Sequence, residues 1–550
     1  MGTAQFDFII VGAGTAGCTL ANRLTEDAGV RVLLLEAGGR DSDPFIHIPI
    51  GVGRLWQQRS HDWGYNTEPQ ASLNGRSVEL PPGRVLGGSS SINAMVYLRG
   101  HRGDYDRWAR QGLPGWSYAN VLPYFRKSES WEGGESRYPG GSGPVGTRWT
   151  DPGDPVVDAV LAAARQAGYP VSEDINGGQG EGFARTQSTL ARGRRASAAA
   201  THLRMARGRP GLTLACGALA LRVLVDGGRA RGVEYRQGGV VKTALASGEV
   251  ILSGGAINTP QLMLLSGLGD PAQLEPLGIP VVAALPGVGQ NLQDHVAIGV
   301  GFARSQSGPL ARALRMDRIA LAMLQSWLFG SGVASNIPGG PMALLRTRPG
   351  LEVPDLQFAF RSISRDAAPW WPGAARPWRD ACVFVPALLH PQSRGSVTLA
   401  SRDPAVPPRI QPNYLSVDAD FGPLMEGIRI ARKVAGQAAL NGYCGEELFP
   451  GPRVDSEEAM RAFIRNAAGS FHHACGTCRM GSDDAAVLDA DLAVRGVPGL
   501  RVVDASALPD LPGANINACT FMLAEKAADL LRGRPLLPAA DIDSPGIPAQ

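Results

Sequence analysis

Two adjacent histidines lie in a short segment that also contains two cysteines, Phe471-His472-His473-Ala-Cys475-Gly-Thr-Cys478. A neutral imidazole, whose ordinary pKa is ~6.5, can take the proton of a hydroxyl group, so either histidine could serve as a general base. A Cys-x-x-Cys pair beside histidines can instead bind zinc or exchange disulfides. The chain has no second pair of such ligands elsewhere. We therefore predict proton transfer at this segment and no metal site.

A glycine turn near the N-terminus is the second chemically informative segment. Gly12, Gly14 and Gly17 directly follow the apolar run Phe6–Val11 and precede a predicted helix. In this spacing the glycines permit a tight turn, a close approach to a pyrophosphate and close packing of helix on strand. A second apolar run ends at Glu36, whose carboxylate can accept both ribose hydroxyls and would repel a 2′-phosphate. The pattern predicts FAD or NAD rather than NADP.

The elements that must position these groups form two sets. Six apolar segments predict one sheet assembled from distant parts of the chain, at 6–11, 30–35, 212–215, 219–225, 250–253 and 500–503. Three later runs predict strands of an antiparallel sheet flanked by helices, at 354–360, 382–389 and 396–400. The expected helices of that part are at 425–434 and 456–467. We expect an α/β fold with a Rossmann-like domain and a second domain.

Composition restricts the class of protein. Hydrophobic residues make up 44% and charged residues 19% of 550 residues, and the net charge is +3. No block of basic residues is present, so we expect no nucleic-acid partner. Seven dispersed cysteines and the lack of an export signal predict a cytoplasmic protein. An amphipathic stretch at 310–328 leaves peripheral membrane contact, or a cover over a site entrance, open.

Further segments carry a recognisable order of motifs. The first is Gly83-Arg-Val-Leu-Gly-Gly-Ser-Ser-Ser-Ile-Asn93-Ala-Met-Val-Tyr97, and the second runs from Gly255 to Gly269. The histidine segment follows, and then Ala514-Asn-Ile-Asn-Ala518. Together they resemble the glucose–methanol–choline family of flavin oxidoreductases, over nearly the whole chain. The resemblance implies FAD rather than NAD, and an alcohol as the electron donor.

The resemblance also implies roles for single residues. His473 occupies the position of the family's active-site base, and Asn515 that of the group which holds the developing alkoxide. His472 is then a packing residue of the pocket. Some relatives bind FAD covalently through a histidine at the position of Ile92, so we expect non-covalent FAD here. Asn517 is expected to cap a helix whose N-terminus lies by the flavin pyrimidine ring.

The glycine turn and the resemblance together predict the contacts with FAD. The expected FAD-binding residues are Gly12, Gly14, Thr15, Ala16, Gly17, Glu36, Ala37, Arg84, Gly88, Asn93, Ala94, Met95, Val96, Asp504, Ala505, Asn515, Ile516 and Asn517. The predicted FAD-binding domain comprises residues 1–155, 190–300 and 466–535. The predicted substrate-binding domain comprises 156–189 and 301–465, followed by a loose tail at 536–550. Within the motif Gly255–Gly269 we expect a short helix capped by Thr259, with Pro260 in its first turn.

The expected reaction is oxidation of a primary alcohol to the aldehyde, with electrons passing to oxygen or a quinone-type acceptor. Aromatic residues predict an apolar or aromatic substrate, since the segment 327–338 with Trp370, Trp371 and Phe360 is expected to wall the pocket. A choline-like substrate calls for a carboxylate near its ammonium group, and the sequence does not place one. Two alternatives on the same fold stay open, a lyase that cleaves cyanohydrins and a fatty-acid photodecarboxylase.

Overall fold

The computed structural model describes residues 4–178, 180–337, 339–374 and 377–542. Within these ranges the α-helices are Thr15–Leu24, Pro44–His47, Val52–Gln57, Arg102–Arg110, Tyr118–Ser128, Val156–Gln166, Arg204–Ala206, Gly255–Leu265, Pro271–Leu274, Pro309–Ala313, Met316–Phe329, Phe421–Ala435, Glu457–Ala467 and Asn517–Leu531. No helix among the described residues is both long and apolar enough to cross a membrane.

The first sheet is built from distant parts of the chain, as predicted. Its path of hydrogen-bonded strands is Leu212–Cys216, Val32–Glu36, Ala4–Val11, Val240–Leu252, Arg229–Gln237 and Ala218–Asp226, and Leu500–Val502 also pairs with Val240–Leu252. The strands on either side of Ala4–Val11 run parallel to it, whereas Ala218–Asp226 and Arg229–Gln237 form an antiparallel meander. Burial of residues 9–11, 32–35 and 250–252 explains the apolar runs of the central strands at these positions.

The second sheet is antiparallel throughout, also as predicted. Its strands in order are Cys444–Phe449, Val300–Arg304, Ala381–Leu388, Leu356–Arg361, Gly339–Leu345 and Gly182–Ala184, with Val296–Ala297 and Gly469–Ser470 paired beside them. Side chains that alternate along Leu356–Arg361 face opposite sides of the sheet. Leu356, Phe358 and Phe360 enter the core formed with two helices, Val156–Gln166 and Phe421–Ala435. The other side packs against Phe471.

Short ribbons complete the strands. They are Leu190–Ala191 with Arg194–Arg195, Leu268–Gly269 with Ala283–Ala284, Tyr65–Asn66 with Glu79–Leu80, Ser396–Thr398 with Arg409–Gln411, and Glu129–Trp131 with Val145–Trp149 and Gln187–Ser188. The prediction that residues 396–400 belong to the second sheet was wrong, because Ser396–Thr398 pairs only with its own hairpin partner among the described residues.

The sequence also misplaced the start of one helix. Helix Gly255–Leu265 begins four residues before the predicted cap, and Thr259 lies inside it. The Thr259 hydroxyl donates to Asp504 at 2.6 Å. Pro260 is tolerated within the helix although it has no N–H to donate to the carbonyl of Ala256. The hydroxyl of Thr477 donates to that carbonyl at 2.6 Å, so a distant side chain replaces the missing helical bond.

The division of the chain into two domains stays a prediction. The predicted tail begins with residues that are docked on the fold. The Ala540 N–H donates to the Ala119 carbonyl at 2.8 Å, and the Leu537 N–H donates to the Tyr124 hydroxyl at 2.9 Å. Residues 543–550 of that predicted tail lie outside the described residues.

Candidate flavin and alcohol site

His473 lies at the centre of a short chain of hydrogen-bonding side chains. Its Nε2 is 3.0 Å from the Asn515 amide nitrogen, and its Nδ1 is 2.8 Å from Nδ1 of His295. An amide nitrogen can only donate, so Nε2 accepts and carries no proton. The proton of the neutral ring therefore sits on Nδ1 and is donated to His295. The nitrogen beside Asn515 is the one that can receive a proton.

Burial keeps this imidazole neutral. His473 has only 8% of its surface exposed, and burial, followed by the neighbouring His472, lowers its pKa to about 3. The pKa of His295 is held well below its ordinary value, first by burial and then by His473. The positively charged forms of both rings are thus disfavoured, so Nε2 of His473 is able to accept a proton at neutral pH.

The carboxyl group of Asp294 fixes the backbone on which His473 stands. Its Oδ1 accepts the His473 N–H at 2.7 Å, and its Oδ2 accepts the hydroxyls of Tyr414 at 2.6 Å and Ser470 at 2.5 Å. Burial raises the pKa of Asp294 to about 6 in spite of these hydrogen bonds. Because Asp294 and His295 are adjacent in the chain, one segment supports both the backbone and the ring of His473.

The amide of Asn515 is oriented by a residue of the second sheet. The side-chain nitrogen of Gln357 donates to the Asn515 oxygen at 3.2 Å, which turns the Asn515 N–H groups toward His473. Gln357 belongs to strand Leu356–Arg361, while Asn515 precedes helix Asn517–Leu531. His473 and Asn515 therefore meet where the second sheet contacts the part of the fold built on the first sheet.

His472 lies beside this pair, with Trp56 and the charges of Arg59, Arg361 and Arg365 around it, and we call the region between these side chains the recess. Its backbone has a φ of 66°, and its side chain is exposed within the recess, with its ring 6.1 Å from that of Trp56. Burial in the recess, then Arg365, Arg361 and Arg59, lower the pKa of His472 to about 4. A cationic environment of this kind disfavours a second positive charge. The contact with Trp56 agrees with the expected pocket-lining role.

The glycine turn has the shape that a dinucleotide phosphate requires. Gly12 has a φ of 101°, and a side chain there would meet the Ser253 carbonyl oxygen at 2.4 Å. A Cβ on Gly17 would lie 1.9 Å from the Gly12 oxygen. Helix Thr15–Leu24 starts after Gly14 without a side-chain cap, so its first N–H groups are free to bind an anion. Residues with a side chain at positions 12 and 17 could not form this phosphate-binding turn.

Several of the predicted FAD contacts converge on this turn. A Cβ on Gly88 would lie 2.8 Å from Cα of Gly14, which brings the loop of the Gly83–Tyr97 motif against it. The Thr15 hydroxyl donates to the Asn517 side chain at 2.7 Å, joining the starts of two helices. The expected capping role of Asn517 was wrong, because Ile516 is the cap residue of helix Asn517–Leu531 and no side chain caps it.

Glu36 closes the second strand, as its proposed role with ribose requires. Its carboxyl group accepts the N–H of Ala13, in the glycine turn, at 3.0 Å and the N–H of Gly38, which follows Ala37, at 2.8 Å. Burial raises its pKa to about 7. The backbone donors hold the carboxyl oxygens at the strand end, beside the glycine turn.

The remaining predicted contacts lie in two loops. Asn93 accepts the Met95 N–H at 3.0 Å, and Ala94 and Val96 flank Met95 in the chain. The guanidinium of Arg84 stacks 4.6 Å over the Trp63 ring. Asp504, whose pKa burial raises, accepts the Gly255 N–H at 2.8 Å. Ala505 follows it, and its carbonyl accepts the Gly476 N–H at 3.1 Å.

Sequence reasoning missed three supporting residues, His295, Gln357 and Arg195. Arg195 is buried, and it donates to the Asn93 carbonyl at 2.6 Å and to the Asn93 side chain at 2.8 Å. Burial lowers its pKa to about 9. Only the adjacent Asp294-His295 pair could have been noticed in the sequence. The other two are isolated polar residues whose partners lie about a hundred or more positions away.

The aromatic residues expected to wall the pocket lie in different parts of the fold. Phe360 is buried in the second core with its ring 5.1 Å from that of Phe384, and Trp371 is 69% exposed on the surface. Trp370 packs on Trp378, and Trp327 lies near His47. Pro338 of the expected wall lies outside the described residues. These residues give no support to an apolar or aromatic substrate.

The two cysteines beside the histidines are structural. Cys475 and Cys478 are free, buried thiols, and burial raises both pKa values. A thiol with a raised pKa is a poor nucleophile and a poor metal ligand. Across the described ranges no cluster of three or more His, Cys, Asp or Glu side chains is arranged to hold a metal ion.

Comparison with known proteins places this site in a family. The family described as GMC oxidoreductase matches residues 6–297 with its N-terminal part and residues 391–524 with its C-terminal part. The mitochondrial choline dehydrogenase of Mus musculus is 43% identical, over 98% of this chain and 91% of its own length. The oxygen-dependent choline dehydrogenase of Photobacterium profundum is 42% identical, over 97% of this chain and 94% of its own.

Solved structures agree. Pyridoxine 4-oxidase from Mesorbium loti superposes with a TM-score of 0.85 at 30% identity, covering 96% of this chain and 100% of that one. A variant of Aspergillus oryzae formate oxidase superposes with a TM-score of 0.89 at 27% identity, covering 97% and 99%. The fold and site thus define a flavin-dependent oxidoreductase that acts on CH–OH groups. The chain belongs to the GMC oxidoreductase family and binds FAD.

Proposed function

We propose that this enzyme oxidises a primary alcohol to the aldehyde, with His473 as the base and Asn515 as the group that holds the alkoxide. One observation carries the proposal. The unprotonated Nε2 of His473 lies 3.0 Å from an Asn515 N–H whose direction is fixed by Gln357. An alcohol oxygen beside both groups would give its proton to Nε2 and accept the amide N–H as negative charge develops.

Each side chain then has a defined task. FAD, when bound, supplies the acceptor for the hydride of the alcohol carbon. His473 receives the hydroxyl proton on Nε2 while Nδ1 stays hydrogen-bonded to His295, and Asp294 holds the backbone of His473 in place. Residues of the turn around Gly12 and of Gly83–Tyr97 are proposed to hold the cofactor. The N-terminus of helix Asn517–Leu531 is proposed to face the flavin pyrimidine ring, where its dipole would favour negative charge.

Choline is the first alcohol to test, because the choline dehydrogenases are similar over almost the full chain. The alcohol that the sequence favoured, apolar or aromatic, belongs in the same panel. Electrons are proposed to leave to oxygen or to a quinone-type acceptor.

The decisive experiment mixes the oxidised holoenzyme with each alcohol in the absence of oxygen. Bleaching of the flavin absorbance, with aldehyde formed in equal amount, is the expected result. Admitting oxygen or a water-soluble quinone then identifies the acceptor by the rate at which the absorbance returns. Cleavage of a cyanohydrin without bleaching would replace the proposal with the lyase alternative. Light-dependent release of carbon dioxide from a fatty acid would indicate the photodecarboxylase.

We propose, in addition, that helix Met316–Phe329 contacts a membrane surface. Five of its large apolar side chains are exposed, Leu321 by 68%, Leu324 by 53%, Trp327 by 39%, Leu328 by 59% and Phe329 by 76%. Arginines lie at the N-terminal end of the same stretch, at 312, 315 and 318, where they would meet anionic headgroups. Cosedimentation with phosphatidylglycerol vesicles should occur and should be lost in Leu324→Glu. Equal recovery of both proteins in the supernatant would refute the contact.

A further inference from the structure

A cationic side chain without a partner lies on the same sheet face as the residue that orients Asn515. Gln357 and Arg361 stand four positions apart on strand Leu356–Arg361, so their side chains project from one side of the sheet. Gln357 contacts Asn515 on that side. At about 3.3 Å per residue, the two Cα atoms are roughly 13 Å apart. Arg361 is therefore placed on the sheet face that contacts Asn515, four residues along the strand from that contact.

The Arg361 side chain makes no hydrogen bond or ion pair with any residue in the described part of the chain. It is partly exposed, yet it lies deep enough that burial, with the nearby Arg365, lowers its pKa to about 10. By contrast, Arg59 near the same recess is paired with Asp62 at 3.1 Å. A largely buried guanidinium without a counter-ion costs free energy, so we expect an anionic group of a ligand to pair with it.

The recess to which Arg361 belongs is that of His472. The charges of Arg361 and Arg365 both reach the His472 ring, which neighbours His473 in the chain. The pyrophosphate of FAD does not account for Arg361, because the phosphate cradle at Gly12 lies in the other sheet. A quaternary ammonium group, as in choline, would be repelled by this arginine pair.

We propose that Arg361 forms an anion subsite, and that the preferred substrates are alcohols with a carboxylate several carbons from the hydroxyl group. This inference rests on the proposed function and names its substrate class. The guanidinium would take the carboxylate through two parallel hydrogen bonds, while the hydroxyl reaches His473 and Asn515. No covalent step is added to the proposed oxidation.

The test compares three alcohols of one length, 6-hydroxyhexanoate, 1-hexanol and 6-amino-1-hexanol, together with choline. The wild-type holoenzyme should show the highest kcat/KM for the anion and the lowest for the two cations. Arg361→Gln should lower kcat/KM for 6-hydroxyhexanoate about 10- to 100-fold, mainly through KM, and change that for 1-hexanol less than about threefold. Arg361→Lys should recover part of the loss. Arg348→Gln, an exposed arginine outside the recess, is the matched control and should match the wild type.

A binding measurement separates the failure of this inference from failure of the proposed function. Hexanoate, which has no hydroxyl group, should bind the wild-type holoenzyme and perturb the flavin spectrum, and Arg361→Gln should lose that binding. If hexanoate binds in this way while no alcohol bleaches the flavin, the subsite stands and the alcohol chemistry fails. If choline is the best substrate and Arg361→Gln treats all alcohols like the wild type, the subsite is refuted while alcohol oxidation stands. Equal losses for 1-hexanol and 6-hydroxyhexanoate would also refute the subsite.

Discussion

At the residue scale, the protonation of His473 is set by its contacts with Asn515 and His295, which come from separate parts of the sequence. His473 has its proton on Nδ1 because Asn515 donates to Nε2, and His295 accepts that proton in a hydrogen bond. Burial is the main cause that keeps the His473 ring neutral. The carboxyl group of Asp294 bonds to the His473 backbone and not to the ring.

Removal of the His473 imidazole tests the base at this scale. His473→Ala should keep bound FAD, because no phosphate or ribose contact is assigned to it, and should lower kcat roughly 10²–10⁴-fold through loss of proton transfer. Stopped-flow flavin bleaching gives the rate, and the flavin-to-protein absorbance ratio gives occupancy. His61→Ala, a half-buried histidine paired with Asp43, is the control. A variant at position 473 with the wild-type bleaching rate would rule out this base.

At the scale of elements, helix Gly255–Leu265 has one of its hydrogen bonds supplied by a side chain from a distant segment. Its Pro260 leaves the Ala256 carbonyl without a helical donor, and Thr477, four residues after His473, supplies one. The bond ties the histidine segment to the second sequence motif. This bond gives a structural reason for the histidine segment and the motif Gly255–Gly269 to occur in the same chain.

Thr477→Val should lower the free energy of unfolding by about 1–3 kcal/mol, because a buried carbonyl loses its donor while the side-chain volume is kept. Urea denaturation of the holoprotein, followed by tryptophan fluorescence, measures the change. Thr477→Ser keeps the hydroxyl and should lie much closer to the wild type. Equal destabilisation by serine and valine would mean that the methyl group, and not the hydrogen bond, is what matters.

At the scale of the whole molecule, the site depends on contact between the two sheets. The glycine turn, Glu36 and helix Asn517–Leu531 belong to the part built on the first sheet, whereas Gln357 and Arg361 come from the second. Since the proposed alcohol contacts come from both sides, binding of the alcohol should stabilise the packing of one part on the other.

Denaturation should release all of the FAD. The position where some relatives attach the flavin is Ile92, a buried side chain with no nucleophilic atom. Protein precipitated with trichloroacetic acid should leave the yellow colour in the supernatant, and refolded apoprotein should regain it when FAD is added. Flavin fluorescence that migrates with the denatured chain on a gel would contradict the prediction.

Acid should weaken the fold through buried neutral histidines. Burial lowers the pKa of His202 to about 3, well below the ~6.5 of an unfolded histidine. The depressed value means that the contribution to stability is complete above pH 6.5 and is lost as the pH falls toward 3. Between pH 7 and pH 5 this single group should remove about 2 kcal/mol.

The matched variant isolates that effect. His202→Gln does not titrate, so its free energy of unfolding should fall less than that of the wild type over the same pH interval. Urea titrations at pH 7 and pH 5, with saturating FAD, give the difference. Identical pH dependence in both proteins would show that His202 is not the group responsible.

Much of the architecture could be predicted because it is encoded locally. Parallel strands that are buried on both faces leave continuous apolar runs, which located Ala4–Val11 and Val32–Glu36 to within two residues. The long strand Val240–Leu252 was recognised only at its end, because its first half is mostly exposed. Periodicity detects burial rather than strand pairing, so half-exposed strands escape it.

The sequence by itself determined the cofactor class and the glycine turn and predicted His473 as the base, since these depend on residue types at fixed short spacing. The tertiary structure decided the tautomer of His473, the partners His295, Asp294 and Gln357, and the burial of Phe360 in the second core. It also left the Arg361 side chain without a partner among the described residues, on the strand whose Gln357 contacts Asn515. Hydrogen bonds and charges act over a few ångströms of space, and residues more than a hundred positions apart become neighbours only when the chain has folded.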